Sequence, residues 1–240
     1  MPPPFASVYF DCDSTLTAIE GVDELLQFAD PALRQEIALL TEQAMNGERA
    51  LAEVYATRLA RLAPARAQLQ RIGDLYIARL VPDALAVVQA LQFLGKHVGI
   101  ISGGLLEPVQ QVAAHLGVPS AHVHAVPLQF DAHGAYRDFD RSSPLWQNGG
   151  KNVVLAALPA AHRPVAFVGD GITDLETQGT AERFVGFGGV VVRPAVQQRA
   201  AHFVTTPSLA GILPLVLTAA ECQRLASEGR FAPLLSLDNR

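Results

Sequence analysis

An α/β fold built on a Rossmann-like parallel sheet is predicted here by three short runs of residues. Ser7-Val8-Tyr9-Phe10 is β-branched and aromatic and stops at a polar cluster. His97-Val98-Gly99-Ile100-Ile101 stops in the same manner at Ser102-Gly103-Gly104, and Val165-Ala166-Phe167-Val168 stops at Gly169-Asp170-Gly171. Each run suits a buried strand, and helical patterns follow, notably over Glu107 to Leu116 and Leu175 to Arg183. Strand, polar loop and helix in repetition make a parallel sheet with crossover helices. Ligands of such sheets sit outside the carboxyl ends of the strands, where strand order reverses. The three polar loops are therefore expected to converge.

Between the first two runs, from about Gly21 to Leu80, the pattern becomes helical throughout. Leu25, Leu26, Phe28, Leu33, Ile37, Leu40, Leu59, Leu62, Leu69, Ile72 and Leu75 recur at helical spacing. Breaks fall near Pro31, Asn46-Gly47 and Pro64, and Pro82 closes the segment. This predicts a small all-helical cap inserted after the first strand. The turn-rich stretch Pro127 to Gly134 predicts a β-hairpin flap. The chain thus divides into a core of residues 1–16 and 82–220, a cap of residues 17–81, and a segment 221–240 whose weak pattern supports no role.

Bulk properties narrow the class. Half of the 240 residues are hydrophobic and 17% are charged, below the usual ~25%. That composition suits a compact enzyme-like body. A net charge of −5 without a Lys/Arg cluster argues against a nucleic-acid partner. The longest apolar stretch, Leu209 to Ala220, is interrupted by Pro214 and falls short of the ~20 residues a membrane span needs. Met1-Pro2-Pro3-Pro4 lacks the features of a secretory signal. Cys12 and Cys222 have no metal-ligand spacing, and a disulfide would have to join two distant segments. A reducing cytoplasm is the expectation. The expected partner is a small-molecule substrate, with no nucleic acid and no membrane; monomer and homodimer both remain open.

The polar clusters carry chemistry. Asp11 and Asp13 stand two residues apart directly after the first strand, where one carboxylate can act as nucleophile and the other as general acid and then base. An Asx-type turn would explain the same pair structurally. Asp170 and Asp174 are flanked by glycines, and such oxygen donors suit Mg²⁺, although Asp174 could simply cap a helix. Ser102-Gly103-Gly104 could offer a hydroxyl and backbone N–H groups to an anion at a helix N-terminus. Lys151 follows Asn148-Gly149-Gly150 and is placed at the start of a helix. Alone it reads as a surface charge.

Taken in order, Asp-x-Asp-x-Thr, Ser-Gly-Gly, Lys and Gly-Asp-Gly-x-x-Asp resemble the four motifs of the haloacid dehalogenase superfamily. Within it, Ala18-Ile19-Glu20-Gly21-Val22-Asp23-Glu24-Leu25-Leu26, Met45-Asn46-Gly47 with Thr57-Arg58-Leu59, Gly149-Gly150-Lys151 and Gly186-Phe187-Gly188-Gly189 resemble the phosphoserine phosphatase family. The resemblance runs from Phe5 to about Leu217. Leu51 and Tyr55 depart from it, standing where the family commonly has phenylalanine and leucine.

The resemblance implies an aspartyl-phosphate mechanism, Asp11 as nucleophile and Asp13 as acid and base. It implies Mg²⁺ on Asp11, the Asp13 carbonyl, Asp170 and Asp174. Lys151, Ser102, Gly103, Gly104 and Thr173 would hold the phosphoryl end. Glu20 would bind the amine of O-phospho-L-serine, Arg58 its carboxylate, and Met45 would line the pocket. The reaction would be the last step of serine biosynthesis. Two other readings stay open: a phosphatase or phosphotransferase for another small phosphomonoester, and a regulatory module phosphorylated on Asp11 without turnover.

Overall fold

The computed structural model describes residues 4–45 and 50–236. Its centre is a six-stranded sheet of β1 (Ser7–Phe10), β2 (His97–Leu105), β3 (Val123–Val126), β6 (Val165–Gly169), β7 (Arg183–Phe187) and β8 (Phe203–Val204), ordered β3-β2-β1-β6-β7-β8. Every pairing in it is parallel. β4 (Leu128–Phe130) and β5 (Tyr136–Phe139) form a separate antiparallel hairpin, where the turn residues predicted a flap. All four residues of β1 are buried, as a central strand covered on both faces requires. The chain builds outward from β1 through β2 to β3, then returns to build β6, β7 and β8 on its other side. Strand order therefore reverses between β1 and β6, and the crevice lies beyond Phe10 and Gly169.

Between β1 and β2 run α1 (Gly21–Glu24), α2 (Pro31–Met45), α3 (Leu51–Leu62) and α4 (Arg66–Ala78). Ile37, Leu40 and Val54 make a small core of their own, with Leu26, Leu33 and Leu62 packed against it. Leu59, Leu69, Ile72 and Tyr76 join the main core instead, so the helices both pack on each other and seat on the sheet. The helices α5 (Ala84–Phe93), α6 (Leu106–Leu116), α7 (Gly150–Ala156), α8 (Ile172–Leu175), α9 (Pro194–Arg199), α10 (Leu213–Val216) and α11 (Ala219–Ser227) complete the molecule. α4 lies along α6, with Gln70 Nε2 donating to Gln111 Oε1 at 3.0 Å.

Two local expectations change. The helix expected over Leu175 to Arg183 ends at Leu175: the Thr177 hydroxyl turns back to donate to the Asp174 carbonyl at 2.6 Å, and Gly179 takes φ +93°, outside the helical region. Arg183 instead begins β7. Ser102-Gly103-Gly104 lie within β2, which runs on to Leu105 before α6 starts, so they are not the first turn of a helix.

Residues 221–236 are built into the body. Leu225, Phe231 and Leu234 are buried in the main core, and Lys96 Nζ reaches Glu221 Oε1 at 2.6 Å and the Phe5 carbonyl at 2.8 Å. Cys12 and Cys222 are free thiols. Among the described residues no helix is long and apolar enough to cross a membrane.

Candidate active site

A cavity of about 410 Å³ lies elsewhere, but the loops after β1 and β6 share a different one, of about 510 Å³. Asp11, Asp13, Glu20, Arg58, Ser102, Gly103, Gly104, Lys151, Asp170 and Thr173 all line it. Of the residues the sequence singled out, Asp174 stands directly behind the wall, fully buried. Met45 and Leu51 have side chains outside the described residues, as do Asn46 and Gly47.

Asp11 follows the last residue of β1, and its amide donates to the Val168 carbonyl at 2.9 Å, continuing the ladder to β6. Its carboxylate is held at both oxygens. Oδ1 accepts the Cys12 amide at 2.7 Å, and Oδ2 lies 2.9 Å from Lys151 Nζ. The chain then turns at Ser14, whose φ of +51° is rare for a residue bearing a side chain. That turn swings Asp13 toward α1 and α4, where Tyr76 Oη and the Gly21 amide both donate to its Oδ1. Gly104 is required here: a β-carbon would come within 2.8 Å of Asp13 Oδ2.

Lys151, the second residue of α7, is buried between Asp11 and Asp174 and bonded to both. Burial pushes its ammonium pKa down, but the two carboxylates outweigh that and raise it, so Lys151 is a fixed cation. Asp174 also accepts the Gly171 amide at 2.8 Å, so it caps its own helix and holds the lysine together. Gly169 makes room for it; any β-carbon there would stand 2.3 Å from Asp174 Cγ.

The carboxyl groups crowd one another. Burial, then Glu20 and Asp11, drive the Asp13 pKa well above the carboxylate range, against the bonds from Tyr76 and Gly21. Burial and Asp11 push Asp174 up to about 8 despite Lys151. Burial and Asp11 also raise Asp170, opposed by Arg193 and Lys151. The cavity wall carries Asp11, Asp13, Glu20, Asp23 and Asp170 against Arg58, Lys151 and Arg193. One carboxylate oxygen from each of Asp11, Asp170 and Asp174 lies within 4.8 Å of the others. Hard oxygen donors, buried together and short of positive charge, fit a small divalent cation.

Arg193 and Tyr76 were not legible as site residues, and the partners of Ser14 and Thr15, which lie in the first motif, were not legible either. Arg193, in the loop between β7 and α9, donates through Nε to Asp170 Oδ2 at 2.7 Å and approaches Glu20 Oε1 at 3.3 Å. Tyr76 belongs to the face of α4 that reads as core. Ser14 Oγ donates to Glu20 Oε1 at 2.6 Å, and Thr15 Oγ1 to Asp170 Oδ1 at 3.2 Å. One signal did exist for Arg193: Gly188-Gly189 after β7 repeats the strand-then-glycine pattern of the other loops. Toward the helices, Tyr55 Oη donates to the Gly103 carbonyl at 3.1 Å, joining α3 to β2. Arg58 pairs with the exposed Asp23, while its buried Nε has no hydrogen-bond partner among the described residues.

A doubly wound sheet with a carboxylate-lined crevice at its switch point defines a Rossmann-like α/β enzyme. Residues 8–177 match the model of the haloacid dehalogenase-like hydrolases. The chain is 36% identical to a phosphoserine phosphatase from Bos taurus over 201 residues, covering 83% of this chain and 88% of that protein. It is 34% identical to a phosphoserine phosphatase from Homo sapiens with the same coverage. In fold it is similar to a phosphoserine phosphohydrolase-like protein from Francisella tularensis, with a TM-score of 0.76 at 24% identity over 88% of this chain and 99% of that one. The chain belongs to the haloacid dehalogenase-like hydrolase family.

Proposed function

We propose that the chain hydrolyses a phosphomonoester through a phosphorylated Asp11, and that its substrate is O-phospho-L-serine. The observation that carries the reading is the unequal surroundings of two neighbouring carboxyls. Asp11 is pinned against the Lys151 ammonium at 2.9 Å, while burial and two nearby carboxylates keep the Asp13 pKa well above its ordinary range. A general acid must hold a proton, which the raised Asp13 pKa favours, and the Lys151 ammonium beside Asp11 suits a carboxylate that attacks phosphorus.

Asp11 attacks phosphorus in line as the bond to the serine oxygen breaks, and Asp13 donates its proton to that oxygen. Asp13 then takes a proton from the water that attacks phosphorus, which releases phosphate and restores Asp11. This divides one difficult displacement into two. Lys151 offsets phosphoryl charge, and Ser102 Oγ, oriented by the Gly104 amide that donates to it at 3.0 Å, supplies hydrogen bonds with the Gly103 amide, with Thr173 at the rim. Such donors contribute about 3 kcal/mol each to a transition state. The carboxylates of Asp11 and Asp170 and the Asp13 carbonyl would hold Mg²⁺, with Asp174 orienting them. When bound, that ion neutralises charge on the transferring group.

The cap role of α1 to α4 belongs to the same reading. The unpartnered Nε of Arg58 supports recognition of a carboxylate by its planar fork. Glu20 suits the ammonium, and Met45 would line the pocket. The relatives named phosphoserine phosphatase support this choice of substrate. The reading places the reaction at the end of serine biosynthesis in a reducing cytoplasm, which the two free thiols suit.

The test is phosphate release from O-phospho-L-serine beside the D-isomer, phosphothreonine and sugar phosphates, with and without acceptor alcohols. O-Phospho-L-serine should be preferred, and water should be the acceptor. Preference for a sugar phosphate, or transfer to the alcohol, would overturn the substrate or the hydrolase assignment respectively.

A further inference from the structure

Three histidines meet at the opposite end of the sheet from the acidic cavity. His97 is the first residue of β2, His122 immediately precedes β3, and His162 lies three residues before β6. They are 25 and 40 residues apart in sequence, yet one ring nitrogen of each lies within 4.8 Å of the other two. His162 is buried and stacks on His97 with centroids 4.2 Å apart, while His122 meets it edge-on at 4.9 Å.

Two of the rings are held in orientation. The Val98 carbonyl lies 3.1 Å from His122 Nδ1. A carbonyl only accepts, so Nδ1 carries the proton and Nε2 of the neutral ring keeps its lone pair. Tyr9 Oη lies 2.8 Å from His162 Nδ1, and in the tautomer where Nδ1 donates to that hydroxyl, Nε2 keeps its lone pair for a metal. A backbone carbonyl or hydroxyl behind the distal nitrogen is how metal-ligating histidines are fixed. His122, His162 and Tyr9 also line the cavity of about 410 Å³, together with His124.

We infer that His97, His122 and His162 form a site for a divalent transition metal, Zn²⁺ in the first instance, with the fourth coordination position facing that cavity. Three imidazoles without a carboxylate among them select Zn²⁺, Co²⁺ or Ni²⁺ over Mg²⁺. The site is separate in donor chemistry and in place from the oxygen cluster of Asp11, Asp170 and Asp174. The stacked rings of His97 and His162 aim their lone pairs side by side and not at one point, so a shared metal requires the half-buried His97 ring to turn out of the stack.

The test uses the full chain, stripped of metal and resupplied with excess Mg²⁺ to satisfy the oxygen cluster, then titrated with Zn²⁺ by calorimetry. One Zn²⁺ per chain should bind. Binding should be lost in the His97→Gln/His122→Gln variant and kept in Asp170→Asn. Tyr9→Phe should weaken it by about 10- to 100-fold, the usual effect of removing such a support. Circular dichroism reports whether each variant folds. Co²⁺ provides a readout without mutation: the wild-type chain should show paramagnetically shifted imidazole N–H resonances. Zn²⁺ binding that survives in the folded double variant, or a wild-type chain that takes up no Zn²⁺ beyond the Mg²⁺ it holds, would overturn the assignment, as would a Co²⁺ spectrum with no imidazole ligand.

Discussion

Arg193 Nε lies 2.7 Å from Asp170 Oδ2, and this contact ties the loop after β7 to the one after β6. It sets a partly buried cation against a buried carboxylate of the acidic cluster. Burial lowers the guanidinium pKa, but Asp170 and then Glu20 raise it above its ordinary value. Losing a hydrogen bond to a charged group costs about 1.5–3 kcal/mol. Arg193→Met should therefore lower kcat/KM by about 10- to 100-fold with an unchanged circular dichroism spectrum. Steady-state kinetics across a Mg²⁺ series measures this; a rate within twofold of wild type would remove Arg193 from the site.

Asp11→Asn keeps the shape of the side chain and removes the proposed nucleophile. Turnover of O-phospho-L-serine should fall by at least about 10⁴-fold, as for other nucleophile deletions. Quenched-flow labelling should find no phosphorylated chain. A variant with near-normal activity would refute the assignment. A wild-type chain that stays phosphorylated without releasing phosphate would instead favour the regulatory reading.

Arg58 discriminates substrate recognition from chemistry. Its partner Asp23 is exposed, so the present pair contributes little, and a substrate carboxylate can displace it. Arg58→Ala should lower kcat/KM for O-phospho-L-serine by about 100-fold, or about 2.7 kcal/mol, and spare an aryl phosphate that has no carboxylate. Equal losses on both would show that Arg58 does not read the carboxylate.

Glu221 tests the segment after the last sheet-covering helix. Burial pushes its carboxyl pKa up, but Lys96 and the Thr218 amide outweigh it, and the net shift is downward. A carboxyl lowered in the folded chain stabilises above its unfolded value, and that stability is lost as pH falls through the lowered value. Glu221→Gln should cost about 1–2 kcal/mol at pH 7, between an exposed and a buried pair. As pH falls below the ordinary carboxylate value the difference from wild type should shrink, and it should vanish once pH is below the lowered folded value. Urea unfolding at pH 7 and across that fall checks it, and a constant difference would exclude the ion pair as its source.

The sheet was legible because β1, β2 and β6 are apolar runs ended by polar loops, a pattern that needs no partner to be seen. The clustering of Asp11 with Asp13 and of Asp170 with Asp174 was legible because each pair is held by a short spacing along the chain. β3, β7 and β8 were not, being short strands whose pairing is decided by neighbours far along the chain. Gly179 shows the same limit in reverse: an apolar periodicity suggested continued helix, and the turn around it broke the helix.

The class of chemistry was already set by local order along the chain, since a carboxylate's reach to its neighbour two residues away is fixed by the backbone. Which charges oppose that carboxylate was settled by folding. Tyr76 on Asp13, Arg193 on Asp170, Lys96 on Glu221 and the three facing imidazoles are all contacts between distant segments. Desolvation and Coulomb interaction depend on distance through space, and one-dimensional order does not specify it.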